Sequence, residues 1–414
     1  MRVYEASFNV LKKILKEKEP FNSALKIVNG KYKKDEISII ANLTGLFLRN
    51  YYAIKAISYV IFKIDDVEPL IYTGIVYANN SFKKYFDEKE SVDFLVKKLA
   101  LYQIKVDDEQ KNKFKEATLS KKEYLAKNVK SKDYSTLSAI TNIPDWIIKM
   151  LFKQYDKSMA FPVINSLVRM PKQFAVRLNA VEANQDGLKS YNKVDGDLFE
   201  YTSKTSIRKD ALVRDIAMFP IQKAEYDMVK YLPALENSNI LCYFEDKNAA
   251  FIALINKYLP SNKLTLATSN QKNYPDLFTR INKLALENLT IIESNEEDLI
   301  ANISEKQDLC VYIPKSSNFE LLRRNPEYGI LFDNQTLDGI IAKQEEELND
   351  IVGHLNVGGY LCYAVPTFDI KETLVQMKKF LDTHKNFSLV KEITSFPNEK
   401  GNSLYYFALV KKEK

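Results

Sequence analysis

The strongest constraint on the fold is a regular alternation of short apolar segments with longer amphipathic segments after Pro233. Strands that alternate with helices are typical of βαβ units, which form a mainly parallel, doubly wound sheet and bind ligands at the carboxyl ends of the strands. We therefore predict a Rossmann-like α/β domain over residues 236–414. The predicted strands are Ile240–Phe244, Leu264–Thr268, Leu289–Ile292, Leu309–Ile313 and Tyr360–Val365, with antiparallel edge strands at Phe387–Val390 and Leu404–Val410, and the predicted helices are Ala249–Tyr258, Pro275–Leu286 and Ile340–Leu355.

Two further regions precede this domain. In residues 1–134, apolar residues recur at helical spacing between lysine-rich faces, which predicts an all-α bundle. Residues 135–235 contain a helix start at Pro144-Asp145 and an alternating strand over Phe174–Asn179, which predicts a small α+β domain. The chain is therefore expected to be multidomain.

Charge is distributed unevenly among these regions. Residues 1–134 hold 26 Lys and Arg against 18 Asp and Glu, residues 135–235 hold 14 against 11, and residues 236–414 hold 20 against 25. A basic first half joined to an acidic last part indicates a polyanion-binding module fused to a domain with a different task. A lysine-rich solvated helical surface would produce the same charge and remains an alternative.

Cysteine and histidine are scarce and scattered. The two histidines and three cysteines have no spacing that would hold zinc or an iron–sulfur cluster, so we expect no metal. Apolar runs stay well below the roughly 20 residues of a membrane span, so no membrane partner is expected. With no apparent signal peptide and few cysteines, the expected compartment is the cytoplasm. Cys242, Cys310 and Cys362 lie in predicted strands and are expected to be buried.

Glycine is unusually rare. The chain has 11 glycines, whereas a typical share of about 7% would give about 29. None occurs between Gly196 and Gly329. Because glycine allows positive φ angles and a close approach of the backbone to phosphate, this gap argues against a glycine-rich phosphate loop. The pair Gly358-Gly359 is predicted to end a helix before the strand at Tyr360.

A series of short motifs occurs in a fixed order along the chain. They are Pro144-x-Trp146, Pro171 with Arg177-Leu178-Asn179, Ile221-Gln222, Arg323-Arg324-Asn325-Pro326, Gln344 with Gly358 to Tyr363, Phe380 to His384, and Asn402 to Leu409. In this order the chain resembles the Sun or Fmu family, the bacterial methyltransferase B enzymes that make 5-methylcytosine in small-subunit ribosomal RNA. The resemblance covers nearly the whole chain. It implies an N-terminal domain like the antitermination factor NusB, small-subunit rRNA as partner and S-adenosylmethionine as methyl donor.

The chain departs from the family where the methyl donor should bind. The family's glycine-rich loop corresponds here to Phe244–Ala250, which has no glycine. The acidic residue that would bind the ribose falls on Thr268, and the acidic residue of the Asp-Ala-Pro-Cys motif falls on Tyr312. We therefore expect no bound cofactor. The resemblance places the degenerate pocket at Glu245, Asp246, Asn248, Ala249, Thr268 and Tyr312.

Both motif cysteines of the family are absent as well. Methylation of the fifth carbon of cytosine needs a thiolate that adds to the neighbouring ring carbon. The cysteine of the family's Tyr-Ser-Thr-Cys motif corresponds to Pro366, and that of its Pro-Cys-Ser motif corresponds to Lys315. Neither residue can form a thiolate, so no intact catalytic residue is predicted.

Several residues are candidates for RNA contact, each with a simpler alternative as a solvated or turn-forming side chain. Trp146 is expected in the core, and Glu345–Glu347 is expected to be a solvated helix face. The RNA-contact candidates are Arg177, Asn179, Lys315, Arg323 and Arg324.

The sequence thus predicts a monomeric, catalytically degenerate family member that binds rRNA or acts in small-subunit assembly. Two alternatives stay open. One is an active methyltransferase that uses S-adenosylmethionine in a rebuilt site. The other is a protein-interaction module whose helical domain docks an assembly or transcription partner.

Overall fold

The structure of the protein is a computed structural model that describes residues 2–82, 84–129, 134–245, 249–268, 277–293, 303 and 305–414. The chain forms two compact units. The first unit comprises Met1–Arg169 with Leu321–Asp333, and the second comprises Met170–Glu320 with Asn334–Lys414. In the described residues, no helix is long and apolar enough to cross a membrane.

The first unit is helical because its apolar residues recur every three or four positions. On the first helix, Tyr4, Leu11 and Ile14 are fully buried, and that helix packs against the third and fifth helices. The helices are α1 (Arg2–Glu17), α2 (Phe21–Ala24), α3 (Lys34–Leu48), α4 (Tyr51–Phe62), α5 (Val67–Ser81), α6 (Glu88–Ala100), α7 (Asp108–Leu119), α8 (Lys121–Asn128), α9 (Ser135–Thr141), α10 (Asp145–Gln154) and α11 (Lys157–Leu167).

A small antiparallel sheet opens the second unit. Its strand order is β2-β3-β1-β4, so the strand predicted at Phe174–Asn179 is a central one. Arg177 is the last residue of this strand, and Asn179 follows two residues later. The elements are β1 (Phe174–Arg177), α12 (Gln185–Leu188), β2 (Tyr191–Asp195), β3 (Leu198–Tyr201), α13 (Ala211–Arg214), β4 (Met218–Ile221) and α14 (Lys223–Tyr231).

The rest of the second unit is built on a seven-stranded sheet with the order β10-β11-β9-β8-β5-β6-β7. Strands β5 to β9 are parallel, and β10 and β11 are antiparallel to their neighbours. The elements are β5 (Asn239–Phe244), α15 (Ala250–Tyr258), β6 (Lys263–Thr268), α16 (Leu277–Asn282), β7 (Leu289–Glu293), β8 (Gln307–Ile313), α18 (Gln335–Val352), β9 (Leu355–Val365), α19 (Leu374–Thr383), β10 (Phe387–Ser395) and β11 (Tyr405–Lys412). Between β8 and α18, the helix α17 (Tyr328–Leu331) belongs to the first unit.

The predicted fold class is confirmed: a helical region is followed by mixed sheets with a Rossmann-like methyltransferase fold. The compact units divide the chain within the range 135–235, because α9 to α11 belong to the first unit and β1 to β4 to the second. The three domains 1–134, 135–235 and 236–414 stay a prediction. The similarity of the helical region to NusB also stays a prediction.

The prediction for the glycine pair is wrong. Helix α18 ends at Val352, and Gly358 and Gly359 lie inside β9. The pairing of β9 with β8 is irregular at this point, and Gly358 has a φ of +82°. A Cβ atom on Gly359 would lie 3.1 Å from the carbonyl oxygen of Asp308 on β8. The two glycines therefore permit a bulge and a close approach of two strands.

One glycine inside the helical unit is essential to its packing. An added Cβ at Gly74 on α5 would lie 2.2 Å from the buried ring of Phe47 on α3. We expect Gly74→Ala to destabilise the protein by about 1–3 kcal/mol, because the ring has no free space into which to move. The change is measured by urea denaturation followed by circular dichroism.

Gly45→Ala is the matched control, because Gly45 lies inside α3 and an added Cβ there would meet nothing within 4 Å. It should be neutral or stabilising, since alanine favours the helix over glycine by about 0.5–1 kcal/mol. Equal denaturation midpoints for the two variants would contradict the close packing of α3 and α5.

Candidate functional site

The predicted cofactor positions that the structure describes lie at the carboxyl ends of the parallel strands, where such sheets bind ligands. Glu245 follows β5, the buried Ala249 precedes α15, and the buried Thr268 ends β6. Tyr312 lies near the end of β8 and is fully buried. Two further predicted positions, Asp246 and Asn248, lie outside the described residues.

A buried tyrosine and a buried glutamate occupy this edge of the sheet. The hydroxyl of Tyr312 donates a hydrogen bond to Oε2 of Glu347 on α18. The ring of Tyr312 stacks on that of Tyr243, with centroids 5.6 Å apart and planes at 8°. Nζ of Lys343 lies 3.6 Å from Oε1 of Glu347. Tyr312, the residue predicted to replace a cofactor-binding acid, is thus bound to an acid from a helix.

A second carboxyl group lies close to the first. Glu245 accepts hydrogen bonds from the Tyr243 hydroxyl at 3.1 Å and from the backbone N–H of Lys315 at 3.3 Å. Burial raises the pKa of Glu347 to about 7, and the negative charge of Glu245 adds to this rise. The two acids and the tyrosines therefore form a compact, titratable group.

The expectation that Glu345–Glu347 is a solvated helix face is wrong for Glu347, which is only 5% exposed. A signal for its burial was present in the sequence. Gln344, Glu347, Leu348 and Ile351 recur at helical spacing and form the buried stripe of α18. Because three glutamates are adjacent in the sequence, the helical spacing of these buried residues is hard to recognise.

The two positions predicted to correspond to the family's cysteines lie on loops held by a buried polar network. Pro366 is buried after β9, whereas Lys315 is exposed after β8. Nε2 of Gln344 donates to the carbonyl oxygen of Lys315 at 2.9 Å and to Oε1 of Glu372 at 3.0 Å. The backbone N–H of Ser317 donates to the same Oε1 at 2.9 Å. Burial raises the pKa of Glu372 to about 7.

The three cysteines are buried, as predicted. Cys242 and Cys362 face one side of the seven-stranded sheet, and Cys310 faces the other. Burial raises the pKa of each thiol well above its ordinary value. None of them is placed to serve as an exposed thiolate nucleophile.

Arg177 and Asn179 lie in an open cleft of about 580 Å³ within the second unit. Nη2 of Arg177 lies 3.5 Å from Oδ1 of Asn179, and Nε of Arg177 has no hydrogen-bond partner. The exposed side chain of Asn179 borders the same cleft. The cleft is lined by Arg177, Asn179, Gly196, Asp197, Tyr226, Val229, Lys230, Ala253, Asn256 and Lys257.

The other charged groups of the cleft are engaged in the fold. Asp197 accepts hydrogen bonds from the Tyr226 hydroxyl at 2.5 Å and from Nδ2 of Asn256. Lys257 donates to the carbonyl oxygens of Val229 and Leu232 at the end of α14, at 2.8 and 2.7 Å. Lys230 pairs with two aspartates. Among the described residues, Arg177 is thus the cation of the cleft that is bound neither to a carboxylate nor to a backbone carbonyl.

The structure separates the two neighbouring arginines of the Arg-Arg-Asn-Pro motif. Arg323 is buried, and its Nε donates to the carbonyl oxygen of Arg169 at 3.4 Å. Arg324 is exposed. Only Arg324 therefore presents its side chain to solvent. Trp146 stacks on Phe332 of the same unit, with centroids 6.0 Å apart and planes at 20°.

A family model provides the decisive comparison. Residues 249–406 match the family described as 16S rRNA methyltransferase RsmB/F. The C-terminal part of this chain is therefore similar to the RsmB/F methyltransferase domain. The matched range includes Thr268, Tyr312, Lys315 and Pro366, four of the positions predicted to correspond to motif residues of the family.

Solved structures share the fold. PH0851 is similar over 100% of this chain and 99% of its own, with a TM-score of 0.71 and 12% identity. NSun6 from Pyrococcus horikoshii, determined with SFG, covers 66% of this chain and 100% of its own, with a TM-score of 0.56 and 10% identity. A methyltransferase homologue from Pyrococcus horikoshii covers 66% and 97%, with a TM-score of 0.54 and 12% identity. At these identities the likeness shows the fold alone. Among curated proteins, none matches the sequence.

A metal site takes several histidine, cysteine or carboxylate side chains close together. Within the described residues, no group of three or more histidine, cysteine, aspartate and glutamate side chains could hold a metal ion. The carboxyl groups of the site are instead bound by tyrosine, lysine, glutamine and backbone donors.

The buried carboxyl groups should make stability depend on pH. Glu347 and Glu372 have pKa values of about 7 in the folded protein, against an ordinary value of 4.5. The folded state therefore holds more protons, and the free energy of unfolding should fall as the pH rises from 4.5 through 7. Melting temperatures across this range measure the effect.

Glu347→Gln should flatten this pH dependence, because glutamine keeps an acceptor for Tyr312 and cannot ionise. Glu346→Gln is the control, since Glu346 is exposed on the same helix. If Glu347→Gln kept the full pH dependence of the unmodified protein, burial of an ionisable Glu347 would be refuted.

Proposed function

We propose that this protein is a catalytically degenerate member of the rRNA methyltransferase family, which binds small-subunit ribosomal RNA or acts in subunit assembly without methylating it. The proposal rests on the predicted correspondence of Lys315 and Pro366 to the two family cysteines, together with the burial of the cysteines that the chain does have. The cysteines that remain are buried in the sheet. No thiolate is therefore available to add to a cytosine ring.

The residues of the cofactor edge support the same proposal. Binding of S-adenosylmethionine would need a carboxylate that accepts hydrogen bonds from the ribose hydroxyls. It would also need a loop with small side chains, so that the cofactor can come close to the backbone. Thr268 and Ala249 are buried, and Tyr312 is bound to Glu347. The described residues thus do not fit the methyl donor.

RNA recognition is proposed for the exposed polar side chains. Arg177 and Asn179 border the open cleft, and Lys315 and Arg324 are exposed on loops. Cationic side chains bind the RNA backbone mainly through phosphate charge, so these positions suit contacts that do not read sequence. Arg323 is buried and is proposed to position this loop rather than to touch RNA.

We further propose a cytoplasmic monomer with three functional parts. Residues 1–134 would form a NusB-like RNA-binding domain, residues 135–235 a second RNA-binding domain and residues 236–414 the methyltransferase-fold domain. The excess of lysine and arginine in the first two parts supports this division.

The loss of the methyl donor is tested by titrating S-adenosylmethionine into the purified protein in a calorimeter. We expect no binding heat, because the residues that would hold the ribose and permit close backbone approach are replaced. An active RsmB/F enzyme serves as the positive control. Micromolar binding, or a cytosine whose methylation in rRNA depends on the gene by bisulfite sequencing, would support the active enzyme instead.

RNA binding is tested by filter binding of small-subunit rRNA over a series of salt concentrations. We expect affinity to fall with salt, and Arg177→Ala to weaken binding and to reduce the salt slope by about 1 because one phosphate contact is lost. Arg208→Ala is the control, since Arg208 is an exposed arginine of the same unit outside the cleft. Equal losses in both variants would argue against a role of the cleft, and binding no tighter than that of a neutral protein would exclude the RNA function.

A further inference from the structure

The helical unit contains a second pocket whose chemistry is opposite to that of an RNA site. It has a volume of about 320 Å³ and lies between the start of α2 and the segment around α17. Its walls are almost entirely apolar. The pocket is lined by Pro20, Asn325, Glu327, Tyr328, Leu331 and Phe332.

One wall residue is a buried acid with an unused oxygen. Glu327 is only 6% exposed, and its Oε1 accepts a long hydrogen bond of 3.4 Å from the backbone N–H of Phe21. Its Oε2 is buried and has no hydrogen-bond partner. Among the residues that the structure describes, no lysine or arginine forms an ion pair with Glu327. A buried polar atom without a hydrogen-bond partner lowers the stability of the fold, so the missing partner of Oε2 needs an explanation.

The rings beside Glu327 favour a positive charge. The rings of Tyr328 and Phe332 have centroids 5.4 Å apart, and Trp146 stacks on Phe332. The face of an aromatic ring attracts a cation, most strongly where water is excluded. The apolar wall formed with Leu331 suits the aliphatic part of a long side chain.

We propose that this pocket binds an arginine side chain presented by a protein partner. Arginine combines an apolar stem, a planar group that stacks on aromatic rings and donors for a carboxylate, and so matches each wall of the pocket. RNA does not match the pocket, because its phosphates would be repelled by Glu327. The inference does not depend on the proposed RNA function, since its lining residues are none of those proposed to contact RNA.

The test uses the full-length protein and two small probes in ligand-observed saturation-transfer NMR. N-acetyl-arginine methylamide carries the proposed group, and N-acetyl-norleucine methylamide is a neutral probe with a comparable apolar stem. We expect saturable binding of the arginine probe and at least tenfold weaker binding of the norleucine probe. Equal binding of both probes, or no binding of the arginine probe, would overturn the proposal.

Two variants and one control locate the binding site. Glu327→Gln should weaken binding of the arginine probe at least tenfold, because it removes the charge and keeps the shape. Asn325→Trp should block the pocket from its exposed rim without disturbing the core, which keeps the test decisive if Glu327→Gln folds poorly. Glu109→Gln should bind as the unmodified protein does, because Glu109 is an exposed acid on α7. Undiminished binding in both pocket variants would show that the arginine probe binds elsewhere and refute the assignment.

Discussion

The hydrogen bond between Tyr312 and Glu347 joins the centre of the sheet to its longest described helix. Both groups are buried, and a buried hydroxyl and carboxyl must satisfy each other because water cannot reach them. Three residues away on the same face of α18, Gln344 binds the hydroxyl of Tyr363 on β9 at 3.1 Å. These contacts hold α18 in one register over β8 and β9. They also fill with protein side chains the edge where a doubly wound sheet normally binds its ligand.

The core of the sheet is separate from the polar groups at its carboxyl edge. It is apolar on both faces and depends on strand and helix packing. Glu245, Glu347 and Glu372 are stabilised by tyrosine, glutamine and backbone donors rather than by a ligand. Each of these carboxyl groups thus has a donor within the chain, while Oε2 of Glu372 is buried without a partner.

Much of this fold could be predicted from the sequence because its signals are local. The strands β5, β6, β8 and β11 were predicted to within two residues, since each is a short apolar run with clear boundaries. The glycine pair in β9 misled the prediction, because a glycine at a strand bulge and a glycine at a helix end both have positive φ and look alike in sequence. The buried Glu347 and Arg323 were missed for a different reason: their partners, Tyr312 and the carbonyl of Arg169, are distant in sequence. Asp246 and Asn248, outside the described residues, leave that part of the cofactor loop a prediction.

The chain enters the helical unit a second time with Leu321–Asp333, which supplies part of its structure from far along the sequence. The hydroxyl of Tyr52 donates to the carbonyl oxygen of Gly329 at 2.9 Å, and Ile330 and Leu331 pack on the helical core. A gene segment for residues 1–169 would therefore encode a bundle that lacks one of its own pieces. Recombination could not exchange this bundle between proteins as a cassette unless the distant loop moved with it. The helical region and the loop would therefore have to be inherited together, because a change in either one affects the contacts between them.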